Sequence, residues 1–141
     1  MVPARFAVAT HILVLLAAAS GAPAEAATSV WLAARVHTNP VVVRRICGHL
    51  TRAGLLRVRR GAGGAELARP PGAITLEDVW LALHAADARP LLPLHAPAGD
   101  AAGGGATRAV LAGAFAEAEA AFRVGLRGIT LHDLAQRLNA V

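Results

Sequence analysis

The spacing of apolar and polar positions along the chain predicts a series of short helices. A first helix is expected over residues 3–19, where Pro3 suits the opening turn and residues 21–23, Gly-Ala-Pro, end the pattern. Thr28 and Ser29 are N-cap candidates for a second, short apolar helix. The N-terminal part of the chain is therefore predicted to be helical.

A third helix is predicted to begin at Pro40, with Thr38 or Asn39 as its cap, and to end at Gly54. Its apolar residues recur every three or four positions and predict one buried stripe. That stripe comprises Val42, Ile46, Leu50 and Ala53, flanked by Val43 and Cys47. Two short helices separated by a brief interruption, the second of them cationic, are typical of a helix-turn-helix.

A hairpin is predicted after the third helix. Residues 55–60 alternate like a strand, residues 61–64 (Gly-Ala-Gly-Gly) make a tight reversal, and residues 65–68 return as a partner strand. The glycine cluster lacks the Gly-Lys-Ser/Thr ending of a P-loop and no helix opens directly after it. We therefore interpret it as a basic, glycine-rich turn and not as a nucleotide site.

The second half of the chain returns to helical patterns. Thr75 is a predicted N-cap, with Asp78 placed as in a capping box, for a helix that runs to about residue 86. Residues 87–106 are rich in Pro and Gly and predict a loop or linker. A long helix is expected from about Thr107 to Leu126, and a short final helix begins at Thr130.

The long helix carries a broader apolar face than one small domain can bury. We expect part of this face to pack against a second copy of the chain. The residues assigned to that dimer contact are Val110, Leu111, Ala114, Phe115, Ala118 and Phe122.

Positive charge is concentrated in one segment of the chain. Residues 28–69 hold eight Arg and one acidic residue, whereas residues 70–141 hold five Arg and seven acidic residues. A basic segment joined to a mildly acidic remainder indicates an anion-binding module. The single cysteine excludes an internal disulfide and a multi-cysteine metal site. No Ser-His-Asp, metal-binding or paired-carboxylate spacing stands out, so we do not expect an enzyme.

Residues 1–27 also resemble a secretory leader, because Arg5 precedes an apolar run and Ala-rich residues follow it. Thr10 and His11 interrupt that run, and residues 12–19 are too few to cross a bilayer. A small exported protein with a cleaved signal peptide is therefore the alternative to a cytoplasmic protein without membrane contact.

Five stretches keep a fixed order along the chain, at residues 5–9, 37–46, 53–56, 59–65 and 74–79. Together they resemble the Rrf2 family of bacterial transcription regulators, nearest to its cluster-free, YwnA-like subgroup. The most specific part is the Arg-Arg-Gly-Ala-Gly-Gly hairpin followed at a fixed distance by Ile-Thr-Leu-Glu-Asp-Val. The resemblance implies a mainly α fold with a small β-hairpin wing, that is, a winged helix-turn-helix, plus a long C-terminal dimerisation helix.

The resemblance also implies a function and a division of the chain. A homodimer would repress or activate transcription at a near-palindromic operator, and of the two we expect a repressor. We expect a DNA-binding domain over residues 1–86, a loop or linker over 87–106, and a dimerisation helix with a short C-terminal helix over 107–141.

The recognition helix of such a fold reads bases with its N-terminal residues. Arg44 is placed to fork onto guanine and Val41 to meet a thymine methyl group. Arg59 and Arg60 lead into the wing tip, which reaches the minor groove or nearby phosphates, whereas Arg52 and Arg57 are expected to be solvated. The residues expected to contact double-stranded DNA are Thr28, Ser29, Thr38, Asn39, Pro40, Val41, Arg44, Arg45, Arg59 and Arg60.

Many Rrf2 proteins carry three cysteines after the Ile-Thr-Leu-x-Asp-Val helix and bind an iron–sulfur cluster there. Residues 87–106 contain no cysteine, so we expect no iron–sulfur cluster, no metal site and no other cofactor. Cys47 is interpreted as a packing residue, with a thiol redox switch as the alternative, since Arg44 and Arg45 would lower the pKa of an exposed thiol. The effector, a small molecule or an oxidant, stays open, as do the operator and the regulated genes.

Overall fold

The computed structural model describes residues 2–19, 26–60, 63–85, 89–95 and 104–141. Within them the fold is mainly helical with a two-stranded antiparallel hairpin, as predicted. In chain order the elements are α1 (Val2–Ala18), α2 (Ser29–Val36), α3 (Pro40–Arg52), β1 (Leu56–Val58), β2 (Ala65–Leu67), a 3₁₀ turn (Pro71–Ala73), α4 (Leu76–His84), α5 (Gly104–Arg127) and α6 (Leu131–Asn139).

Helix α1 lies at the centre of the core. Its side chains Ala9, Ile12 and Leu13 are fully buried, and the helix packs against α3, α4 and α6. Residues 2–18 of the segment that resembles a cleavable leader are therefore part of the folded domain, since their loss would expose the apolar faces of three other helices. The exported-protein alternative has no support in this packing.

Among the helices described, none combines the length and apolar character that crossing a bilayer requires.

Side-chain caps set where α2 and α3 begin. The Thr28 hydroxyl oxygen accepts a hydrogen bond from the Trp31 N–H at 3.2 Å. The Asn39 side-chain oxygen accepts from the Val41 N–H at 2.7 Å, so Asn39 and not Thr38 caps α3. Between the two helices, His37 adopts the left-handed conformation with φ of 53°. The short turn that separates the two helices is thus fixed at both ends.

The buried face of α3 is rotated from the predicted stripe. Its buried residues are Val43, Ile46, Cys47 and Leu50. Val42 is 37% exposed, and Ala53 is also exposed, which corrects their assignment to the core. Residues 41–43 are three consecutive valines, so the spacing alone allowed more than one helical row. The rotation turns Val41 and Val42 towards solvent.

The hairpin is fixed against the start of α2. Its strands pair with Leu56 opposite Leu67 and Val58 opposite Ala65. Gly64 has a φ of +70°, and a Cβ atom there would lie 2.5 Å from the Ala27 backbone nitrogen. The next N–H, that of Ala65, donates to the Ala27 carbonyl oxygen at 2.9 Å. Only glycine allows so close an approach between these two backbone segments.

Helices α4 and α6 begin in the same way and are joined where they begin. Each has a reciprocal capping box, Thr75 with Asp78 and Thr130 with Asp133. The Leu76 N–H donates to the Ile129 carbonyl at 2.9 Å, and the Leu131 N–H donates to the Ile74 carbonyl at 3.0 Å. The two capped ends therefore hold the C-terminal helix against α4.

Helix α5 begins at Gly104 rather than Thr107, and its C-terminal part is anchored on α4. Phe122 meets Trp80 edge-on, with ring centroids 5.0 Å apart. Arg127 donates two hydrogen bonds to the Glu77 carboxylate, at 2.9 and 2.8 Å. Since Glu77 is only 9% exposed, this bidentate pair compensates the burial of its charge.

The close approach of Gly64 can be separated from its backbone conformation by a matched pair of variants. Gly54 also has positive φ, at +74°, but nothing lies within 4 Å of its Cβ position. We expect Gly54→Ala to lower the free energy of unfolding by about 1–2 kcal/mol, the cost of a left-handed alanine. Gly64→Ala should lose about 1–3 kcal/mol more because the methyl group collides with the Ala27 backbone. Urea unfolding measures both, and equal losses would contradict the close contact.

The Glu77–Arg127 pair makes stability depend on pH. The hydrogen bond from Arg127 holds the pKa of Glu77 below its ordinary 4.5, so the folded state binds the proton less tightly than the unfolded chain. The contribution is complete above pH 4.5 and is lost as pH falls through the lowered, folded-state pKa. Between about pH 7 and pH 3, the melting temperature of Glu77→Gln should therefore fall less than that of the wild type. Glu117→Gln, at an exposed position of α5, should keep the wild-type slope.

Candidate nucleic-acid interface

The N-terminal turn of α3 is presented to solvent. Val41 is 54% exposed, and Asn39, Arg44 and Arg45 are also exposed. This presentation follows from the packing, because the opposite face of the helix is fixed in the core by Val43 and its neighbours. Most of the turn that the sequence predicts to read bases is therefore open to solvent, whereas Thr38 and Pro40 are half-buried.

Helix α3, the start of α2 and the hairpin together enclose a groove of about 600 Å³, which we call the wing groove. Its lining includes Thr28, Ser29, Arg44, Val58, Gly64 and Ala65. The groove brings three predicted contact residues together with the hairpin. Thus Arg44 and the wing lie on one side of the molecule, which simultaneous contact with a duplex requires.

The other predicted contacts lie outside the lining of the wing groove. Four of them surround the start of α3: Thr38 and the cap Asn39 precede the helix, and Pro40 and Val41 are its first residues. Arg45 lies one position further round the helix than Arg44. Thr28 and Asn39 serve as helix caps, a role that leaves the adjacent backbone N–H groups at the helix ends directed outwards.

The three arginines of the hairpin differ in their partners. The Arg59 guanidinium lies 2.6 Å from the Glu66 carboxylate, and Arg57 approaches the same carboxylate at 3.8 Å. The hydrogen bond from Arg59 lowers the pKa of Glu66 from its usual value. Arg60 is exposed and makes no ion pair with any residue that the structure describes. Arg60 is therefore the wing cation that is available without breaking an existing pair.

Arg52, which the sequence predicts to be solvated, is exposed and lines the wing groove together with Gly48 and Thr51. Gly48, Thr51 and Arg52 lie four, seven and eight residues after Arg44, which places all of them on one face of the helix. This spacing can be recognised in the sequence. The Arg52 guanidinium donates to His49 Nδ1 at 2.8 Å. Burial, and secondarily the charge of Arg52, lower the pKa of His49, so this acceptor is neutral near pH 7.

Cys47 also lines the groove, but its thiol is largely buried. Burial raises its pKa to about 11. The thiol is therefore protonated at neutral pH and is a poor nucleophile. The neighbouring cations Arg44 and Arg45 do not offset this burial, and the structure favours the packing role over the redox switch.

The residues predicted to form a dimer contact follow α5 at helical spacing. Val110 is 71% exposed, and Ala114 and Ala118 are also exposed, whereas Leu111 and Phe115 are half-buried. Phe122, one turn beyond Ala118, covers Trp80. A single chain therefore leaves the N-terminal part of this apolar face open to solvent.

Comparison with known proteins gives the same picture. The family model of Rrf2, described as an iron-dependent transcriptional regulator, matches residues 2–137. YwnA of Bacillus subtilis strain 168, provisionally described as an HTH-type transcriptional regulator, is 41% identical over 83 residues. That alignment covers 59% of this chain and 59% of the length of YwnA.

Solved structures share the fold. A protein described provisionally as DNA-binding is 31% identical with a TM-score of 0.70, over 92% of this chain and 97% of its own. CymR of B. subtilis, named the global cysteine regulator, is 23% identical with a TM-score of 0.66 over 94% of each chain. IscR of T. potens is 20% identical with a TM-score of 0.69, over 95% of this chain and 85% of its own. At these identities, CymR and IscR show a shared fold alone.

The family match over residues 2–137 shows that the chain belongs to the Rrf2 family of transcriptional regulators.

Proposed function

We propose that the chain is a sequence-specific DNA-binding regulator that represses transcription from the cytoplasm, as a homodimer on a near-palindromic operator. The observation that carries this proposal is the wing groove, in which Arg44 of the recognition helix and the hairpin face the same space. Membership of the Rrf2 family supports the same function.

In this mechanism the exposed first turn of α3 enters the major groove. Arg44 offers a planar guanidinium, which pairs with the two acceptors of guanine, and the exposed Val41 side chain suits a thymine methyl group. Arg45 lies one position further round the helix than Arg44 and contacts the phosphate backbone of the DNA. Thr28, the N-cap of α2, and Ser29, its first residue, offer hydroxyl groups and the helix N-terminus to a phosphate.

The two arginines that lead into the wing tip are not equally available to DNA. Arg60 makes no ion pair among the described residues and can approach the minor groove or a phosphate directly. Arg59 must first exchange Glu66 for a phosphate oxygen, so part of its binding energy is offset by the lost ion pair. The close contact of Gly64 with Ala27 fixes the backbone of the hairpin against the start of α2.

A homodimer built on α5 would present two recognition helices to successive turns of the major groove, about 34 Å apart. The open apolar face that includes Val110, Ala114 and Ala118 supports this assembly. The same assembly supports the division of the chain into a DNA-binding part and a dimerisation helix. A two-fold axis between the protomers explains why the operator would be near-palindromic.

The description of the family model names iron, and the side chains present do not fit a cluster held by this chain. A cluster of that kind needs several cysteine thiolates, whereas the chain has one cysteine, buried within α3. No three His, Cys, Asp or Glu side chains of the described residues lie close enough to hold a metal ion. The proposed mechanism therefore includes no iron-dependent step.

The assignment of Arg44 to a base contact predicts a loss of both affinity and specificity. Arg44→Ala should weaken binding to the operator by about 1–3 kcal/mol and relax discrimination at one base pair. Arg137→Ala, the same charge change on α6, should bind like the wild type. Fluorescence anisotropy with operator fragments, recovered by immunoprecipitation of bound genomic DNA, measures both variants. Normal operator binding by Arg44→Ala would show that the groove assignment is wrong.

The dimer contact can be tested with two equivalent substitutions on opposite faces of α5. Ala118 lies within the apolar face and Ala109 on the opposite side of the helix, and both are exposed in the single chain. Ala118→Glu should convert the dimer to a monomer because it places a carboxylate in an apolar contact, whereas Ala109→Glu should leave the dimer intact. Sedimentation velocity gives the outcome, and a dimer unaffected by Ala118→Glu would contradict the proposed interface.

A further inference from the structure

A second cavity, distinct from the wing groove, lies between the C-terminal end of α3 and α4. It encloses about 640 Å³, within the ~300–1,000 Å³ range of small-molecule sites. None of its lining residues belongs to α5, so it is separate from the proposed dimer contact. We call it the α3–α4 pocket.

The polar lining of this pocket is mainly cationic. Arg52 and Arg69 are exposed at its rim beside His49, and neither arginine forms an ion pair with an acidic residue that the structure describes. Asp78 also lines the pocket, and its carboxylate accepts a hydrogen bond from the Thr75 N–H at 2.9 Å in the cap of α4. Among the described residues, the pocket therefore offers two guanidinium groups that are not paired with a carboxylate.

The remaining walls are apolar. Leu55 is fully buried behind the pocket, Ala82 is buried on α4, and Leu81 is exposed at the pocket's edge. Guanidinium groups match the geometry of carboxylate or phosphate oxygens, and the aliphatic walls favour an attached hydrocarbon part. This combination selects a small organic anion over a bare inorganic ion or a neutral apolar molecule.

Arg52 is shared by the two cavities. It lines both the wing groove and the α3–α4 pocket, and its guanidinium lies over Gly48, with 3.8 Å from Nη1 to the Cβ position of that glycine. The hydrogen bond to His49 Nδ1 holds the guanidinium at the boundary between them. A ligand that binds Arg52 from the pocket side therefore competes with a phosphate on the groove side.

We propose that the α3–α4 pocket binds a small organic anion through Arg52 and Arg69, and that binding weakens the grip of the protein on DNA. The first part stands on the pocket alone. The second part rests on the proposed function, since it requires Arg52 to face a duplex. The bound anion also reduces the positive charge beside α3, which acts in the same direction.

Hexanoate serves as the probe for the site, with its neutral amide, hexanamide, as the matched control. Isothermal titration calorimetry on the full chain without DNA should show hexanoate binding to the wild type and to Arg137→Ala. Arg69→Ala should reduce the affinity by about tenfold or more because a charge-assisted hydrogen bond is lost, and hexanamide should give no binding heat. Absence of hexanoate binding to the wild type, or unchanged binding by a folded Arg69→Ala variant, overturns the site.

The coupling to DNA is measured separately by fluorescence anisotropy. Hexanoate should lower the operator affinity of the wild type more than chloride at the same ionic strength does, and this difference should disappear in Arg69→Ala. That variant should bind DNA normally without hexanoate, because Arg69 does not line the wing groove. An effect equal to that of chloride overturns the coupling. Failure of the wild type to bind any genomic fragment would instead refute the proposed function, while the calorimetric result still decides the site.

Discussion

The contact between Gly64 and the backbone of Ala27 is the constraint on which the interface depends. It joins the hairpin to the residue that precedes α2, and α2 packs on α3. Backbone contacts therefore fix the wing to the start of α2, and the packing of α2 on α3 joins both to the recognition helix. Side chains of the wing can vary without altering this geometry, but a Cβ atom at position 64 cannot be accommodated.

Local signals in the sequence predicted most of the element boundaries because caps act over a few residues. Asn39 before Pro40, and Thr75 with Asp78, gave the starts of α3 and α4 correctly. Ile46 and Leu50 were predicted correctly, but Val43 and not Val42 is buried, because the neighbouring valines satisfy the same periodicity. Which row is buried is decided by packing against α1 and α4, and that information is not local.

The candidate site was only partly accessible from sequence for the same reason. Placing Arg44 on the exposed side of a recognition helix needs only helical spacing, whereas the pairing of Arg59 with Glu66 depends on contacts across the hairpin. The sequence could predict the exposure of Arg52 but not its position beside two cavities, which is created by α4 and the hairpin together. A local sequence pattern cannot predict the role of a residue when that role depends on contacts between two elements that are distant in the sequence.

The C-terminal anchor of α5 on α4 has a mechanical consequence, although Arg108 near the other end of the helix also donates to the His95 carbonyl. Its C-terminal part is tied to α4 by the Arg127–Glu77 pair and the Phe122–Trp80 contact, while the helix extends over 24 residues, or roughly 36 Å. A tilt of about 5° at that anchor displaces the far end by about 3 Å. A slight repacking around Trp80 that tilts α5 would therefore move the N-terminal part of its apolar face by several times the displacement at the anchor.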